Sequence, residues 1–476
     1  MPPTEVPAPA GDGDPALQTI EALIKRGDLA AAERLCRERI ESGSQDSRLH
    51  TSLAGLCGRG GRWPELREQV GLALALNPED PQAHNHLGVA QRQAGDLDGA
   101  IASYRRALAS RPAYAGAHNN LAIALQERGD LEEAAHHYRQ AIALEPNQAS
   151  AHTNLGMLLL LQGQFAQGWA EYEWRHAMPE AGWGLHVRPR TPPWDGRRPL
   201  ERGETLLLVC EQGLGDTLQF MRYALPLRQR GVAVRLCAQE PLHGLIRASS
   251  LDPTPIAPAA VDPDHADPWL PLLSLPGVLG VSAENPLLSE PYLQPTAERL
   301  EHWRQRLAGE AGPLIAVGWQ GNPLPERTTL RGRSLPLEAF APLAERTGAR
   351  LISLQKGFGS EQLAECPFRD RFVGCQPEVD ATWDFLDAAA ILACCDLVIS
   401  SDTALAHLAG GMGRPTWLLL RDIPDWRWGL AGEGSTWYPS LRLFRQRQPG
   451  DWGEVLERVA GELAALLAIQ TLLDPG

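Results

Sequence analysis

The sequence predicts a multidomain protein in which an all-α array of helical repeats precedes an α/β half with two doubly wound parallel sheets. Glycines recur every 34 residues early in the chain, and apolar runs later alternate with glycine loops and helical patterns. A chain of 476 residues is also too long for one hydrophobic core. The expected segments are a disordered start (1–12), the repeats (13–182), an irregular linker rich in Pro, Gly and Arg (183–203), and two lobes (204–295 and 296–476).

Composition excludes several classes of function. The net charge of −14 argues against nucleic acid as a partner, because binding a phosphate backbone requires a basic surface. No apolar run approaches the ~18 residues of a membrane span, so we expect no transmembrane segment. The eight cysteines form no Cys-x-x-Cys pair and lie mostly in apolar runs, which is typical of reduced thiols in a cytoplasmic protein.

The repeats are defined by a fixed period. In the third unit, His84, Leu87, Gly88, Gly95, Ala100, Tyr104, Ala107 and Pro112 match the tetratricopeptide pattern, and the fourth unit repeats it. Five such repeats predict a superhelix with a concave groove, which is normally a binding surface. The period is marked by Gly27, Gly61, Gly95, Gly129 and Gly163.

Asparagines on the first helices of successive repeats are candidates for partner binding. Asn85, Asn119 and Asn154 stand close to one repeat apart. They would form a ladder that holds a peptide backbone, as in the repeat region of O-GlcNAc transferases, which this segment resembles. A structural or solvated polar face is the alternative. The ladder interpretation predicts a protein or another large acceptor in the groove.

The first lobe begins with an apolar strand, residues 206–210, and a glycine loop that contains Gly213 and Gly215. The dinucleotide fingerprint fails there because Leu218 occupies the place of its third glycine. Asp216 follows at the carboxyl end of the strand, where α/β folds bind ligands, and it starts a predicted helix that runs towards Arg230. It is either a functional carboxylate or a plain helix cap.

The second lobe repeats the alternation. Strands are predicted at 313–319, 349–354, 397–399 and 417–420, with helices at 297–307 and 384–394. Basic side chains lie on the loops after these strands and would meet an anionic ligand. The loop candidates are Arg331, Arg333 and Lys356, together with Gln320, Gly321 and Asn322.

The stretch 397–410 reads as a buried strand, a tight loop and a helix N-terminus. Amide groups and the helix dipole converge at such a loop, which suits it to a diphosphate. Asp402, Thr403 and Ala404 form the loop, and His407 lies one helical turn beyond Thr403. The alternative is that Asp402 caps the helix and His407 packs against the sheet.

Together these motifs resemble bacterial tetratricopeptide-repeat glycosyltransferases with a heptosyltransferase-like, family 9, GT-B catalytic region. The motifs that carry the resemblance are Gly213-Leu214-Gly215-Asp216, Trp319-Gln320-Gly321-Asn322, Arg333-Ser334-Leu335-Pro336-Leu337, Ser353-Leu354-Gln355-Lys356-Gly357, Asp402 to Gly410, and Pro424-Asp425-Trp426-Arg427-Trp428.

The resemblance implies a GT-B fold and the transfer of a sugar from a nucleotide-sugar donor, usually without a metal and with inversion. It assigns Asp216 as the catalytic base, Asp402-Thr403 with His407 as the diphosphate loop, and a basic residue near Arg333 as a phosphate contact. Ala404 stands where heptosyltransferases have glycine. No cofactor is expected, since the nucleotide-sugar is the substrate. The sequence Asp262-Pro263-Asp264 looks like an Asp-x-Asp metal site, but its prolines and loop setting argue against one.

Three functions from different classes follow from these patterns. The first is an active nucleotide-sugar transferase whose repeats select the acceptor. The second is a repeat scaffold with a catalytically inert GT-B-like half. The third, a nucleotide-dependent oxidoreductase, is disfavoured by the failed fingerprint. Asp216, the basic residues and the Asp-Thr-His set together favour the transferase.

Overall fold

The computed structural model describes Asp14 and residues 16–178, 184–200, 203–326 and 332–473. Spatial contacts divide the chain into two compact units, Met1–Leu158 and Leu159–Gly476. The predicted disordered start, 1–12, lies outside the described residues. The two units are described separately below.

The first unit consists of helices that pack in consecutive pairs, as a tetratricopeptide array requires. The helices are α1 (Ala16–Lys25), α2 (Leu29–Glu41), α3 (Ser47–Arg59), α4 (Trp63–Leu76), α5 (Pro81–Gln93), α6 (Leu97–Ser110), α7 (Ala115–Arg128) and α8 (Leu131–Leu144). Helix α9 (Ala149–Leu161) runs through the boundary at residue 158, and α10 (Phe165–Tyr172) belongs to the second unit.

The 34-residue period has a conformational cause. Each of the five periodic glycines adopts a left-handed backbone, with φ between 69° and 97°. A side chain is strained in that conformation, so glycine ends one helix of the pair and lets the chain reverse. Asp28 and Asp96 then cap the next helix by accepting hydrogen bonds from Ala31 and Gly99.

Small residues allow paired helices to approach closely, as the pattern predicts. A Cβ atom added at Gly88 would lie 2.5 Å from the ring of Tyr104, which is buried. The first helices of three repeats are also fixed by one recurring hydrogen bond, in which a histidine Nε2 contacts the carbonyl of the proline six residues earlier. The pairs are His84 with Pro78 (2.8 Å), His118 with Pro112 (3.1 Å) and His152 with Pro146 (2.9 Å).

The first sheet of the second unit has three parallel strands in the order β2-β1-β3. They are β1 (Thr205–Val209), β2 (Ala233–Cys237) and β3 (Trp269–Pro271), and the helices of this lobe are α11 (Leu214–Phe220), α12 (Ala224–Gln229), α13 (His243–Ala248) and α14 (Leu275–Leu279). One continuous helix from Asp216 towards Arg230 was expected. That expectation is wrong, because a 3-10 turn at Met221–Tyr223 interrupts it. Pro226 lacks an amide hydrogen and would clash with the carbonyl of Arg222 in a regular helix.

The second sheet has five parallel strands in the order β5-β4-β6-β7-β8. They are β4 (Leu314–Gly318), β5 (Arg350–Ser353), β6 (Leu397–Ser401), β7 (Thr416–Leu420) and β8 (Leu441–Arg445). The sequence identified β7 as the last clear strand, so β8 was missed. Arginines at positions 442 and 445 interrupt the apolar residues of this edge strand, so it contains no long apolar run.

Helices cover both faces of the second sheet, which confirms the predicted doubly wound α/β class. They are α15 (Ala297–Leu307), α16 (Pro323–Glu326), α17 (Ala341–Arg346), α18 (Gln376–Asp380), α19 (Phe385–Cys394), α20 (Ala404–Gly411) and α21 (Trp452–Leu473). On one face, Val455, Leu456 and Val459 of α21 join a core with Ile315 and Ile399 of the strands. In both sheets the crossover reverses direction beside β1 and β4, and ligands of such folds bind at the carboxyl ends of strands there.

None of the helices in the described part of the chain combines the length and the apolarity that crossing a bilayer requires.

Candidate active site

The loops after β1 and β6 meet at one place. A Cβ atom added at Gly215 would lie 3.0 Å from Cδ2 of His407 and 3.5 Å from Cα of Ala404. The first turns of α11 and α20 are therefore in direct contact, and a side chain at position 215 would crowd the ring of His407. The contact brings Asp216 of one lobe close to Asp402 and Thr403 of the other.

Asp216 is a helix cap and also a carboxylate with a charged partner. One carboxylate oxygen accepts a hydrogen bond from the Gly213 amide (2.9 Å), so the side chain does cap α11. The other oxygen accepts a hydrogen bond from Arg427. Burial raises the pKa of Asp216, and the Arg427 guanidinium opposes that rise. Capping consumes one oxygen lone pair, so the carboxylate can still accept a proton.

Arg427 was quoted above only as part of a motif, and no role at the site was predicted for it. It lies in the 3-10 turn Trp426–Trp428 after β7 and is almost fully buried. Its guanidinium donates to Asp216 and Gln219 of the first lobe, and to Asp425 at 2.9 Å. It also stacks over the Trp426 ring at 4.5 Å. The available signal was an arginine between two tryptophans and after an aspartate, in a loop that follows a buried strand.

The loop before α20 contains an acid with an unusual environment. Burial raises the pKa of Asp402 to about 6, with the nearby Asp425 carboxylate as the second cause. Arg333 and Arg427 oppose this rise, which places both guanidinium groups within electrostatic reach of Asp402. Thr403 is the N-cap residue of α20, yet its side chain makes no capping hydrogen bond and its hydroxyl lies 3.2 Å from Ser400 Oγ. The first amides of α20, beginning at Ala404, are therefore not capped by that side chain.

His407 is held by packing. It is buried, its Nδ1 lies 3.0 Å from the hydroxyl of Tyr438, and its ring stacks on Trp428 with a centroid distance of 5.4 Å. Burial lowers the pKa of His407 well below its usual value, and nearby arginines lower it further. This shift favours the neutral form of the imidazole.

Arg333 lies over the backbone of Gly321, where an added Cβ atom would approach its Nη2 to 2.5 Å. Its guanidinium pairs with Glu326 at 3.2 Å and donates to the carbonyl of Asn322 at 3.3 Å. The Asn322 side chain accepts from the amide of Leu324 (3.0 Å) and so shapes the loop. Arg331, the other basic candidate of this segment, lies outside the described residues.

Lys356 and Gln320 connect neighbouring loops. The amine of Lys356 donates to the carbonyl of Thr382 (2.5 Å), and burial lowers the pKa of this lysine. The amide of Gln320 donates to the side chain of Gln355 (3.0 Å), which also accepts from the amide of Trp319 (3.1 Å). In this structure Lys356 contacts the loop before α19, whereas Arg333 is held by Glu326 and the Asn322 carbonyl.

The loop between β1 and Asp216 packs against the end of α10 and the 3-10 turn that follows it. Arg175 and Glu211 form a fully buried two-pronged ion pair, with N–O distances of 3.0 and 2.9 Å. Gln212 adopts a left-handed backbone (φ 58°), and its side-chain amide donates to the hydroxyl of Tyr172 (2.9 Å). These contacts fix the path of the chain from β1 to Gly213.

In the first unit, asparagines of the predicted ladder form hydrogen bonds with asparagines of the neighbouring repeat. Asn120 donates to the side-chain oxygen of Asn85 (3.0 Å), and Asn154 donates to that of Asn119 (3.2 Å). Asn85 and Asn119 are buried, whereas Asn120 and Asn154 are half-buried. Successive repeats are thus joined by amide pairs that retain further donors.

Among the described residues, no three His, Cys, Asp or Glu side chains are grouped so that they would hold a metal ion. In the Asp262-Pro263-Asp264 segment, Asp264 pairs with Arg190 and Asp262 accepts from the amide of Asp264. Metal independence stays a prediction.

Comparison with protein families agrees with both halves of this description. Residues 372–435, which include Asp402 to His407 and Arg427, match glycosyltransferase family 9 (heptosyltransferase). Residues 90–129 and 124–163 match a tetratricopeptide repeat family, and residues 15–38 match another.

The chain is similar to protein FlbA of Caulobacter vibrioides, with 29% identity over 338 residues. The match covers 63% of this chain and 52% of FlbA, so the chain spans about half the length of that curated relative.

Two solved structures align with part of the chain. PilF of Pseudomonas aeruginosa is 16% identical with a TM-score of 0.32, covering 45% of this chain and 83% of PilF. A thermophilic tetratricopeptide-repeat protein of Thermus thermophilus is 23% identical with a TM-score of 0.30, covering 33% of this chain and 86% of that protein. The chain therefore combines segments that match tetratricopeptide repeats with one segment, residues 372–435, that matches glycosyltransferase family 9 (heptosyltransferase).

Proposed function

We propose that this protein transfers a sugar from a nucleotide-sugar donor to an acceptor selected by its repeats. The observation that carries the proposal is the contact between Gly215 and Ala404. This contact supports the proposal because Asp216 directly follows Gly215, whose backbone lies against the first turn of α20. A base beside an anion-binding helix N-terminus is what transfer from a nucleoside diphosphate requires.

In the proposed mechanism, Asp216 removes the proton from the attacking hydroxyl group of the acceptor. The sugar passes through an oxocarbenium-like transition state while the diphosphate leaves. One displacement of this kind inverts the anomeric centre. Burial raises the pKa of Asp216, and a raised pKa makes the carboxylate a stronger base towards the acceptor hydroxyl.

Charge that builds on the leaving diphosphate needs fixed donors. The amides at the start of α20, which the Thr403 side chain does not cap, supply the positive end of a helix dipole, and the Arg333 guanidinium opposes the rise that burial causes in the pKa of Asp402 in the same loop. Such preorganised groups usually contribute the largest share of catalysis. This proposal gives His407 a packing role, because its imidazole is buried between Tyr438 and Trp428.

The acceptor is proposed to bind the repeat groove. The half-buried amides of Asn120 and Asn154 offer donors to an extended chain, while Asn85 and Asn119 hold those amides in place. A protein or another large acceptor fits this surface better than a small molecule. The eight cysteines are free thiols, which supports a cytoplasmic location.

One observation favours the second candidate, a repeat scaffold with an inert GT-B-like half. Arg333 is already paired with Glu326 at 3.2 Å, so a diphosphate has to compete with a carboxylate for this guanidinium. Under the transferase proposal, the pair exchanges for the donor phosphate. Under the scaffold proposal, the Arg333–Glu326 ion pair stays intact.

A thermal shift experiment separates the two proposals. The full chain is heated with a panel of UDP-, GDP- and ADP-sugars, and a ligand bound only by the folded state raises the melting temperature with its concentration. The transferase proposal expects one nucleotide class to stabilise the protein and Arg333→Ala to weaken that effect. If no donor stabilises the wild-type protein at millimolar concentration, the scaffold interpretation replaces it.

A further inference from the structure

Two large aromatic side chains remain exposed on the loops at the carboxyl end of the second sheet. Trp383, in the loop before α19, is 67% exposed, and Phe358, in the loop after β5, is 55% exposed. Large apolar groups that stay exposed together mark binding sites more often than chance. We call these two side chains the aromatic platform.

The platform is held in position. Gly357 has a left-handed backbone (φ 67°), and an added Cβ atom there would contact the Trp383 ring at 3.6 Å. Lys356 donates to the carbonyl of Thr382, the residue before Trp383. The hydroxyl of Thr382 donates to Asp387 at 2.6 Å. The exposed indole therefore stands on a loop that is fastened on both sides.

The platform is continuous with the site at Arg333. The side-chain amide of Gln355 donates to the carbonyl of Phe358 (2.6 Å) and to that of Gln320 (2.8 Å). Gln320 precedes Gly321, over which Arg333 lies. The loops after β4 and β5, which are paired strands, thus present an aromatic surface and a guanidinium side by side.

A nucleoside diphosphate is complementary to this pair, because it carries an aromatic base that can stack and an anionic diphosphate that can meet the guanidinium. We propose that Trp383 and Phe358 form the surface on which the base of the donor nucleotide stacks. Lys356 is then a positioning residue that holds the Trp383 loop, and it is not a phosphate ligand. This inference rests on the proposed function, because it concerns the donor of that reaction.

The test compares a nucleotide with its anionic part alone. Calorimetry on the full chain measures the affinity of UDP, GDP, ADP and inorganic pyrophosphate for the wild type, Trp383→Ala, Trp383→Phe and Phe358→Ala. Loss of base stacking should weaken the preferred nucleoside diphosphate by about 5- to 150-fold in Trp383→Ala. Pyrophosphate affinity should not change, and Trp383→Phe should keep most of the nucleotide affinity. Leu466→Ala, which removes a 43% exposed apolar side chain from α21, is the matched control.

Lys356→Met tests the positioning role. A residue that holds the Trp383 loop should affect nucleotide binding and leave pyrophosphate binding unchanged, whereas a phosphate ligand should affect both. Equal weakening of pyrophosphate and nucleotide in Lys356→Met would overturn the positioning role.

Three other results would overturn the platform. Wild-type nucleotide affinity in both Trp383→Ala and Phe358→Ala would remove it from the donor site while the proposed function stands. A raised acceptor Michaelis constant in Trp383→Ala, with unchanged donor affinity, would assign the platform to the acceptor. A wild-type chain that binds none of the three nucleotides would overturn the proposed function as well.

Discussion

The guanidinium of Arg427 donates a hydrogen bond to the carboxylate of Asp216, although 211 residues separate them in the sequence. Arg427 follows a strand of the second sheet, whereas Asp216 follows a strand of the first. A buried charge pair of this kind is costly to break, because either partner left alone is an unpaired buried charge. The pair therefore links the two lobes through the charge of the proposed base.

Asp216→Asn is expected to lower the transfer rate by ~100- to ~10,000-fold, the usual contribution of a general base. The amide oxygen still accepts from Gly213, so the helix cap is kept and donor affinity should change little. Single-turnover kinetics together with donor titration measures both quantities. Asp264→Asn removes an exposed carboxylate of the same lobe and serves as the control. A wild-type rate in Asp216→Asn would leave Asp216 as a cap alone.

Folding stability should depend on pH through Asp402. The folded pKa of about 6 lies above the ordinary value of 3.8, so the folded state binds the proton more tightly than the unfolded state does. The contribution of this group is therefore most favourable at low pH and is lost as pH rises through about 6. Asp402→Asn, which stays neutral, should raise the melting temperature more at pH 8 than at pH 5. An equal gain at both pH values would contradict the assignment.

Arg175→Met should destabilise the second unit by about 3–5 kcal/mol, because it leaves the Glu211 carboxylate buried without its partner. Arg175 and Glu211 are both fully buried. Denaturant unfolding followed by tryptophan fluorescence measures the change. Arg346→Met breaks the exposed pair with Glu457 and should cost no more than ~1 kcal/mol. Similar losses in the two variants would show that burial of the pair is unimportant.

Two glycine substitutions in the repeats should have opposite signs. Gly88→Ala forces a methyl group against the Tyr104 ring and should destabilise the first unit by about 1–3 kcal/mol. Gly71 lies within α4, and a Cβ atom added there would have no neighbouring atom within 4 Å. Gly71→Ala should therefore stabilise the first unit by roughly 0.5–1 kcal/mol through helix propensity. Circular dichroism during urea unfolding measures both. Destabilisation of equal size by both substitutions would argue against the close contact at Gly88.

Local patterns predicted most of the fold. The helix predicted at 297–307 appears as Ala297–Leu307, and the strand predicted at 349–354 appears as Arg350–Ser353. In both segments, side-chain periodicity and burial point to the same element. The helix break at Met221–Tyr223 was missed because it depends on a clash made by a proline. The edge strand β8 was missed because it depends on pairing with β7.

The candidate site was only partly accessible to sequence reasoning. Position along the chain identified Asp216, Asp402 and Thr403, since each follows a buried strand. It could not reveal that Arg427 bonds to Asp216 from the opposite lobe, or that His407 is packed against Trp428. Those relations depend on how two distant segments fold together, which no local pattern encodes.

The contacts of α10 also set a rule for engineering this chain. By its period, α10 is the last helix of the repeats, yet its Trp169 donates to the carbonyl of Val281 and packs on Gly277. Tyr172 and Arg175 hold the Gln212 and Glu211 loop in the same way. A chimera that exchanges the repeat array for another should therefore be spliced before Phe165, so that the recipient half keeps this helix as its own.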